Sequence, residues 1–146
     1  MPDTAYITLI GRVLLGLIFL MSAINKIADP DGTQQYMTAM GMTSMTTLFY
    51  IGAVAIELAG SLSLLLGYRA KAGAWLLFLF LIPTTLIFHT HVGDQNQLIH
   101  FLKNLSMMGG LLYAAQFGAG RYSMDAGLER AEMLEPPRRL RKVVHQ

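Results

Sequence analysis

Residues 13–21 read VLLGLIFLM, a continuous apolar run inside a longer segment whose early charge is Arg12. We predict that this run is the core of a membrane-spanning helix over residues 4–27, ended by the turn sequence Asp29-Pro30-Asp31-Gly32. A signal peptide is the alternative. However, no small-residue cleavage site followed by a soluble domain comes after the run, and three more apolar segments follow. The first segment is therefore expected to be retained as a helix.

The three later apolar segments predict spans at residues 44–67, 72–92 and 98–117, with Pro83 inside the third. Between Pro30 and Gly41 we expect a short interfacial helix, and Ser123 is expected to cap an amphipathic helix that runs to Leu134. The predicted fold class is an all-α membrane protein. It is a four-helix transmembrane bundle over residues 1–120, followed by a cytoplasmic tail over residues 121–146 with a short amphipathic segment.

The composition supports a membrane location. Of the 146 residues, 53% are hydrophobic and 14% are charged, against roughly 25% charged residues in soluble domains. A soluble fold of this size could not cover so much apolar surface. There is no cysteine, which excludes disulfides, thiolate chemistry, Fe–S ligation and covalent c-type haem. The basic run Arg138-Arg139-Leu140-Arg141-Lys142 is too short to indicate nucleic-acid binding, and we expect it to contact anionic lipid headgroups.

Charges in the loops predict the orientation. With four spans, the second loop lies on the same side as both termini. That loop carries Arg69 and Lys71 and no acid, whereas Asp94 is the one full charge in the third loop. The segment after the fourth span adds six cations: Arg121, Arg130, Arg138, Arg139, Arg141 and Lys142. The positive-inside rule therefore places both termini in the cytoplasm.

Two ionisable residues lie well inside the first two predicted spans, namely Arg12 and Glu57. A charge inside a span is costly, so each group needs a partner or a purpose. Counted at ~1.5 Å per residue along antiparallel helices, the two groups lie at similar depths, and we predict an Arg12–Glu57 ion pair. Such a pair either takes part in function or only fixes the register of the helices, and the sequence leaves both alternatives open.

One face of the first helix is expected to point into the bundle. Steps of four, three, four and three residues place five side chains on that face: Arg12, Gly16, Phe19, Ala23 and Lys26.

A polar pocket is predicted at the outer end of the bundle. His89 ends the third span, and Lys103 and Asn104 lie in the first turns of the fourth, at the expected level of Asn25 and Lys26. We predict that this pocket opens outward and binds an anionic or electron-rich small molecule, because no acid inside a neighbouring span is expected at that depth. The simpler explanation for Lys26 alone is a lysine that snorkels to the interface.

The histidines do not predict a metal centre. His89 and His91 are two residues apart, so on a helix they point in different directions, and no cysteine completes a site. A bis-histidine haem between His89 and His100 is disfavoured because both lie close to water and Lys103 adds a positive charge. His91 and His100 are expected to be interfacial and solvated.

Several short motifs now stand in order along the chain: Arg12-x-x-x-Gly16-x-x-Phe19, Asn25-Lys26, Glu57 with Gly60 and Gly67, Phe88-His89, and Leu102-Lys103-Asn104 with Gly109-Gly110. Over residues 6–115, their order and spacing resemble the DoxX family of small bacterial inner-membrane proteins. The resemblance implies a four-helix protein of the bacterial inner membrane that is a component of an oxidoreductase. Some relatives are membrane subunits of a thiosulfate:quinone oxidoreductase, but this chain lacks the cysteines of a direct sulfur relay.

No cofactor motif is evident in the chain, and no nucleotide-binding glycine motif is present. The electron carrier implied by the resemblance is therefore a membrane quinone or a partner's cofactor. Lys103 and His89 would hydrogen-bond a quinone carbonyl, with Phe88 and Phe101 against the ring. The alternative function is a non-catalytic membrane scaffold or a small-molecule or lipid-binding protein. Expected partners are the lipid bilayer and a soluble or membrane redox partner or a second copy of the chain.

Overall fold

The computed structural model describes residues 4–90 and 93–134, and every regular element in these ranges is a helix. In chain order the helices are α1 Ala5–Ala28, α2 Pro30–Ala39, α3 Thr46–Leu66, α4 Ala70–Phe88, α5 Gln95–Phe117 and α6 Met124–Leu134. The predicted all-α class is confirmed. His91 and the basic run at residues 138–142 lie outside the described residues.

Three of the described helices, α1, α3 and α4, are long and apolar enough to cross a membrane. The most apolar 18-residue window of α1 has a mean hydropathy of 2.3, yet only 22% of that window is buried inside the protein. An apolar surface that points outward is expected of helices whose solvent is lipid. The fourth predicted span corresponds to α5, which has 23 residues but carries His100, Lys103 and Asn104 in its first half. Length and composition therefore do not confirm the predicted count of four spans.

The helices pack largely in chain order. α3 packs between α1 and α4, and α5 packs on α4 with a lighter contact to α1. Only residues 67–69 separate α3 from α4, and so short a connection makes the two helices antiparallel neighbours. Gly67 permits this turn because its φ of 66° is left-handed, and Tyr68 N donates to Ser63 O across the end of α3. The buried core joins all four long helices: Phe19, Leu64, Ala74, Leu77, Leu81, Leu111 and Ala115.

The short helix α2 lies beside this core. Pro30 begins it, and the Asp29 side chain accepts from Gly32 N at 2.9 Å, which satisfies a free N–H of the first turn. Met37 of α2 packs with Ala53 and Phe88 in a second buried cluster. A helix was predicted here, between Pro30 and Gly41, and is confirmed.

Two helix ends bear on the site. Ser123 Oγ accepts from Ala126 N at 3.1 Å, which confirms the predicted cap of α6. The third span was predicted to run to residue 92, but α4 ends at Phe88, and His89 follows with a φ of −132°. His89 is therefore the residue that ends the helix, and its ring is not held on a helical face.

Candidate functional site

The inward face of α1 is the starting point of the site. Arg12, Gly16, Phe19 and Ala23 are all buried, which confirms the face predicted from their spacing. Lys26 continues this face at the end of α1, where its side chain is 22% exposed.

Lys26 forms an ion pair with Glu57 of α3. Lys26 Nζ lies 3.0 Å from each oxygen of the Glu57 carboxylate. It also donates to Ser22 Oγ at 2.7 Å, and Ser22 Oγ donates to Glu57 Oε1 at 3.0 Å. The Glu57 side chain is only 5% exposed. The three side chains therefore form a closed network in which the buried carboxylate is fully hydrogen-bonded, as a buried charge requires.

The predicted Arg12–Glu57 pair is wrong. Arg12 Nη2 donates instead to the Tyr122 carbonyl at 2.9 Å, and the Asp125 carboxylate interacts with it electrostatically. The cause is the register of α1 against α3. Arg12 lies against Gly67, which is ten residues along the chain from Glu57, so the predicted register is displaced by about 15 Å. The first turns of α1 extend beyond the end of α3 and meet the segment before α6.

A cavity of about 740 Å³ adjoins the Lys26–Glu57 pair and is lined by residues of α1 to α5. All five residues predicted to line a pocket do so: Asn25, Lys26, His89, Lys103 and Asn104. Ser22 and Glu57 also line it, and both were missed. Glu57 had been assigned to Arg12, and the expectation that no acid of a neighbouring span lies at this depth is wrong.

The far wall of the cavity is polar. Asn104 Nδ2 donates to Thr85 Oγ1 at 3.0 Å, and both residues are buried. Lys103 is exposed, and its Nζ lies 3.1 Å from His100 Nδ1. Lys103 therefore lies exposed at the rim, whereas Lys26 is held inside by a carboxylate.

His89 at this wall interacts with His100, which lies outside the lining, through the faces of their rings. The rings of His89 and His100 stack with centroids 5.1 Å apart, and His89 Nδ1 lies 2.9 Å from Gln97 Oε1. Stacked rings do not direct their nitrogens at a common iron, so this arrangement does not offer two axial haem ligands. Among residues 4–90 and 93–134, no group of three or more His, Asp or Glu side chains is placed to hold a metal ion.

The rest of the lining is apolar and aromatic. Phe19 and Phe88 are buried in it, and the ring of Tyr36 from α2 stacks on Phe88 at 5.7 Å. The cavity is partly open, and its lining includes Leu48 and Ile87, which are exposed on the apolar outside of α3 and α4. Of the two aromatic residues predicted to lie against a quinone ring, Phe88 lines the cavity and Phe101 does not. The cavity joins a charged, hydrogen-bonded inner end to an edge beside exposed apolar side chains of α3 and α4.

The comparisons with known proteins agree with the motifs. The DoxX family model matches residues 7–90. This chain belongs to the DoxX family. It is 33% identical to the inner membrane protein YqjF of Escherichia coli K12, over 84% of this chain and 92% of that protein. It is also 33% identical to the inner membrane protein YphA of the same organism, over 80% of this chain and 86% of that protein. No solved structure matches.

These relatives confirm the predicted family and a bacterial inner-membrane location. The match to the DoxX family contains the whole Lys26–Glu57–Ser22 network and His89. Lys103 and Asn104 lie after its last residue. The network at the inner end of the cavity thus lies in the part of the chain that the family model matches.

Proposed function

We propose that this DoxX-family protein is the membrane component of a quinone-linked oxidoreductase system, and that the cavity beside Lys26 and Glu57 binds the quinone. The observation that carries the proposal is the combination of an aromatic cavity, open beside exposed apolar side chains of α3 and α4, with a charged network at its inner end. Ligand pockets of about 300–1,000 Å³ with a few convergent polar groups are typical of small-molecule sites.

The fit to a quinone can be tested against the side chains present. A quinone ring needs apolar surface on its faces and hydrogen-bond donors at its two carbonyl oxygens. Phe19 and Phe88 supply the surface. Lys103 Nζ, with one contact to His100, and the exposed amide of Asn25 at the rim supply donors. The residues therefore suit the ring and both carbonyls.

The Lys26–Glu57 pair has a different role in this proposal. Lys26 Nζ already donates to Ser22 and to both oxygens of Glu57, so its charge is neutralised by the carboxylate and it does not serve as a free donor. A quinone, when bound, supplies two-electron and two-proton chemistry. The side chains at the rim hold its carbonyls, and the Lys26–Glu57–Ser22 network shapes the inner end of the cavity. Electrons come from a soluble or membrane redox partner.

The direct test is binding of a short-chain quinone, followed as ligand-dependent thermal stabilisation in detergent. A bound ligand stabilises according to its concentration relative to its dissociation constant. Gly52 lines the cavity, and a Cβ there would meet nothing within 4 Å, so Gly52→Leu should fill the site without breaking the polar network. We expect the quinone to stabilise the wild type and not Gly52→Leu.

Gly11→Leu is the matched control, because Gly11 is also helical and free of neighbours within 4 Å but does not line the cavity. It should keep the wild-type response. His89→Leu and Lys103→Met should weaken the response from the polar wall. Equal stabilisation of wild type and Gly52→Leu would show that the quinone binds elsewhere, and a protein that no quinone stabilises would favour a scaffold or lipid-binding role.

We also propose that α1, α3, α4 and α5 all span the membrane, with both termini in the cytoplasm. The support is the placement of Arg69 and Lys71 at the end of the bundle opposite Asp94. A reporter that is active only in the cytoplasm should give signal when fused after residue 146 and none when inserted at residues 93–94. The reverse pattern would invert the orientation and turn the cavity toward the cytoplasm.

A further inference from the structure

Helix α6 presents an apolar stripe that no other helix covers. Met124, Leu128, Ala131 and Leu134 follow helical spacing, and all four are exposed, Leu134 by 85%. No residue of α6 is buried. The acidic side chains of α6 lie on the other side of the helix: Asp125, Glu129 and Glu132. The helix is therefore amphipathic, although it contributes nothing to the core.

The first turn of α6 is fixed to one end of the bundle. Asp125 N donates to Gly67 O at 2.9 Å. The Asp125 carboxylate accepts from Arg69 N at 2.7 Å and from Ala70 N at 3.1 Å. These contacts hold α6 at the turn where α3 and α4 meet, and both of those helices are candidate spans. The start of α6 therefore lies at the boundary between membrane and water.

The surroundings of α6 are basic. Arg69 and Lys71 are exposed at the same turn, and the sequence after α6 contains Arg138, Arg139, Arg141 and Lys142. Cations next to a membrane surface attract anionic lipid headgroups. An apolar stripe on a short helix with charges on its other face is the pattern of a helix that lies in the membrane interface.

We propose that α6 is an interfacial helix that binds an anionic leaflet, with Met124, Leu128, Ala131 and Leu134 inserted among the lipids and Arg69 and Lys71 on the headgroups. The occupant is the bilayer because α6 begins where two apolar helices end, so the largest apolar phase within reach of its ~16 Å length is the membrane. A second copy of the chain or a soluble protein would instead cover the stripe from the water side.

The absence of cysteine makes single-cysteine labelling straightforward. Leu128→Cys places a fluorophore on the apolar stripe. Glu129→Cys, at the next residue, places the same fluorophore on the acidic side of the helix. Both positions are exposed, so neither variant should perturb folding, which a thermal melt verifies. The full-length variants are placed in nanodiscs, one protein per disc, made of phosphatidylcholine with phosphatidylglycerol.

We expect the label at Leu128 to show blue-shifted emission, quenching by nitroxide-labelled lipids and protection from aqueous iodide, and the label at Glu129 to remain open to iodide. In discs of phosphatidylcholine alone, the Leu128 label should lose part of its protection. Equal iodide quenching at both positions would overturn the proposal. Protection of the Leu128 label that appears only when each disc holds two copies would also overturn it, in favour of self-association. Unchanged protection without phosphatidylglycerol would overturn the part assigned to anionic lipid.

Discussion

The two ends of the bundle each receive a cation from the inward face of α1, and they neutralise it in different ways. Lys26 is paired with a carboxylate from the middle of α3, within an open cavity. Arg12 is paired with the carbonyl of Tyr122 and lies near Asp125, both from the segment that follows α5. Its Nε and Nη1 are buried and have no hydrogen-bond partner among the described residues.

The difference is between an end of the bundle that leaves room for a ligand and an end that the chain itself covers. At the Lys26 end, the charges are satisfied by helix side chains, and room remains beside them for a ligand. At the Arg12 end, the chain itself returns to cover the cation, and Gly67 is in contact with the guanidinium. The Lys26–Glu57–Ser22 network lies wholly within the part of the chain that matches the DoxX family, whereas the contacts of Arg12 need residues beyond it.

The largest effect is expected from Glu57→Gln. This change removes the counter-charge of Lys26, and breaking a buried pair costs ~3–5 kcal/mol. We expect a value near the lower limit, because the Lys26 side chain is 22% exposed and can reach water. The measurement is the free energy of unfolding in mixed detergent micelles. The double change Lys26→Met with Glu57→Leu should recover most of the loss, since it leaves no unpaired charge.

A second double variant tests the register directly. Because Arg12 and Glu57 are held by different partners, the losses caused by Arg12→Gln and Glu57→Gln should add when the two changes are combined. A double variant that is more stable than the sum of its parts would restore the Arg12–Glu57 pair and contradict the structure.

The next effect concerns the Arg12 end, through Gly67→Ala. A Cβ at this position would collide with Arg12 Nη1, and φ is 66°. A left-handed backbone costs a residue with a Cβ ~1–2 kcal/mol, and the displaced guanidinium adds to this cost. Gly41→Ala separates the two terms, because Gly41 has a φ of 94° but a Cβ added there would meet nothing within 4 Å. If both variants lose the same stability, Arg12 is not packed against Gly67.

Helix periodicity was sufficient to predict the inward face of α1, since it depends only on residue spacing within one helix. The cap at Ser123 depends likewise on local sequence. The convergence of Lys26, His89 and Lys103 at one end follows from the alternating direction of successive helices in a bundle. The partner of Glu57 could not be predicted in this way, because it depends on the sliding register of two helices. The prediction assumed that the facing ends of α1 and α3 lie at the same level, and this assumption displaced the register. The inward face of α1 carries two cations, Arg12 and Lys26, and the wrong one was assigned to Glu57.

The Arg12 end was missed for a related reason. The contact between Arg12 and Tyr122 joins residues 110 positions apart, and no periodicity within either segment signals it. Its sequence signal is indirect. A buried arginine with no acid at its own depth in the neighbouring helix requires a partner from elsewhere in the chain, and the segment after α5 is the part that reaches that end.

The smallest effect is expected from Asp125→Ala, which tests whether the returning segment holds the Arg12 end. The Asp125 carboxylate accepts from the N–H groups of Arg69 and Ala70 at the start of α4. It therefore caps that helix from a distance of 55 residues along the chain. Loss of a capping side chain costs ~1 kcal/mol. Glu129→Ala, an exposed change one turn along α6, is the control and should leave the free energy of unfolding unchanged.

Asp125→Asn distinguishes the cap from the charge. The amide keeps one acceptor oxygen for the start of α4 but removes the negative charge near Arg12. If capping dominates, Asn should retain about half of the ~1 kcal/mol. If the charge on Arg12 dominates, Asn should be as unstable as Ala, and the loss should disappear in an Arg12→Gln background because the cation it neutralises is gone. An Asp125→Ala variant as stable as the wild type would show that the returning segment does not hold this end, and the contrast between the two ends would then rest on Tyr122 alone.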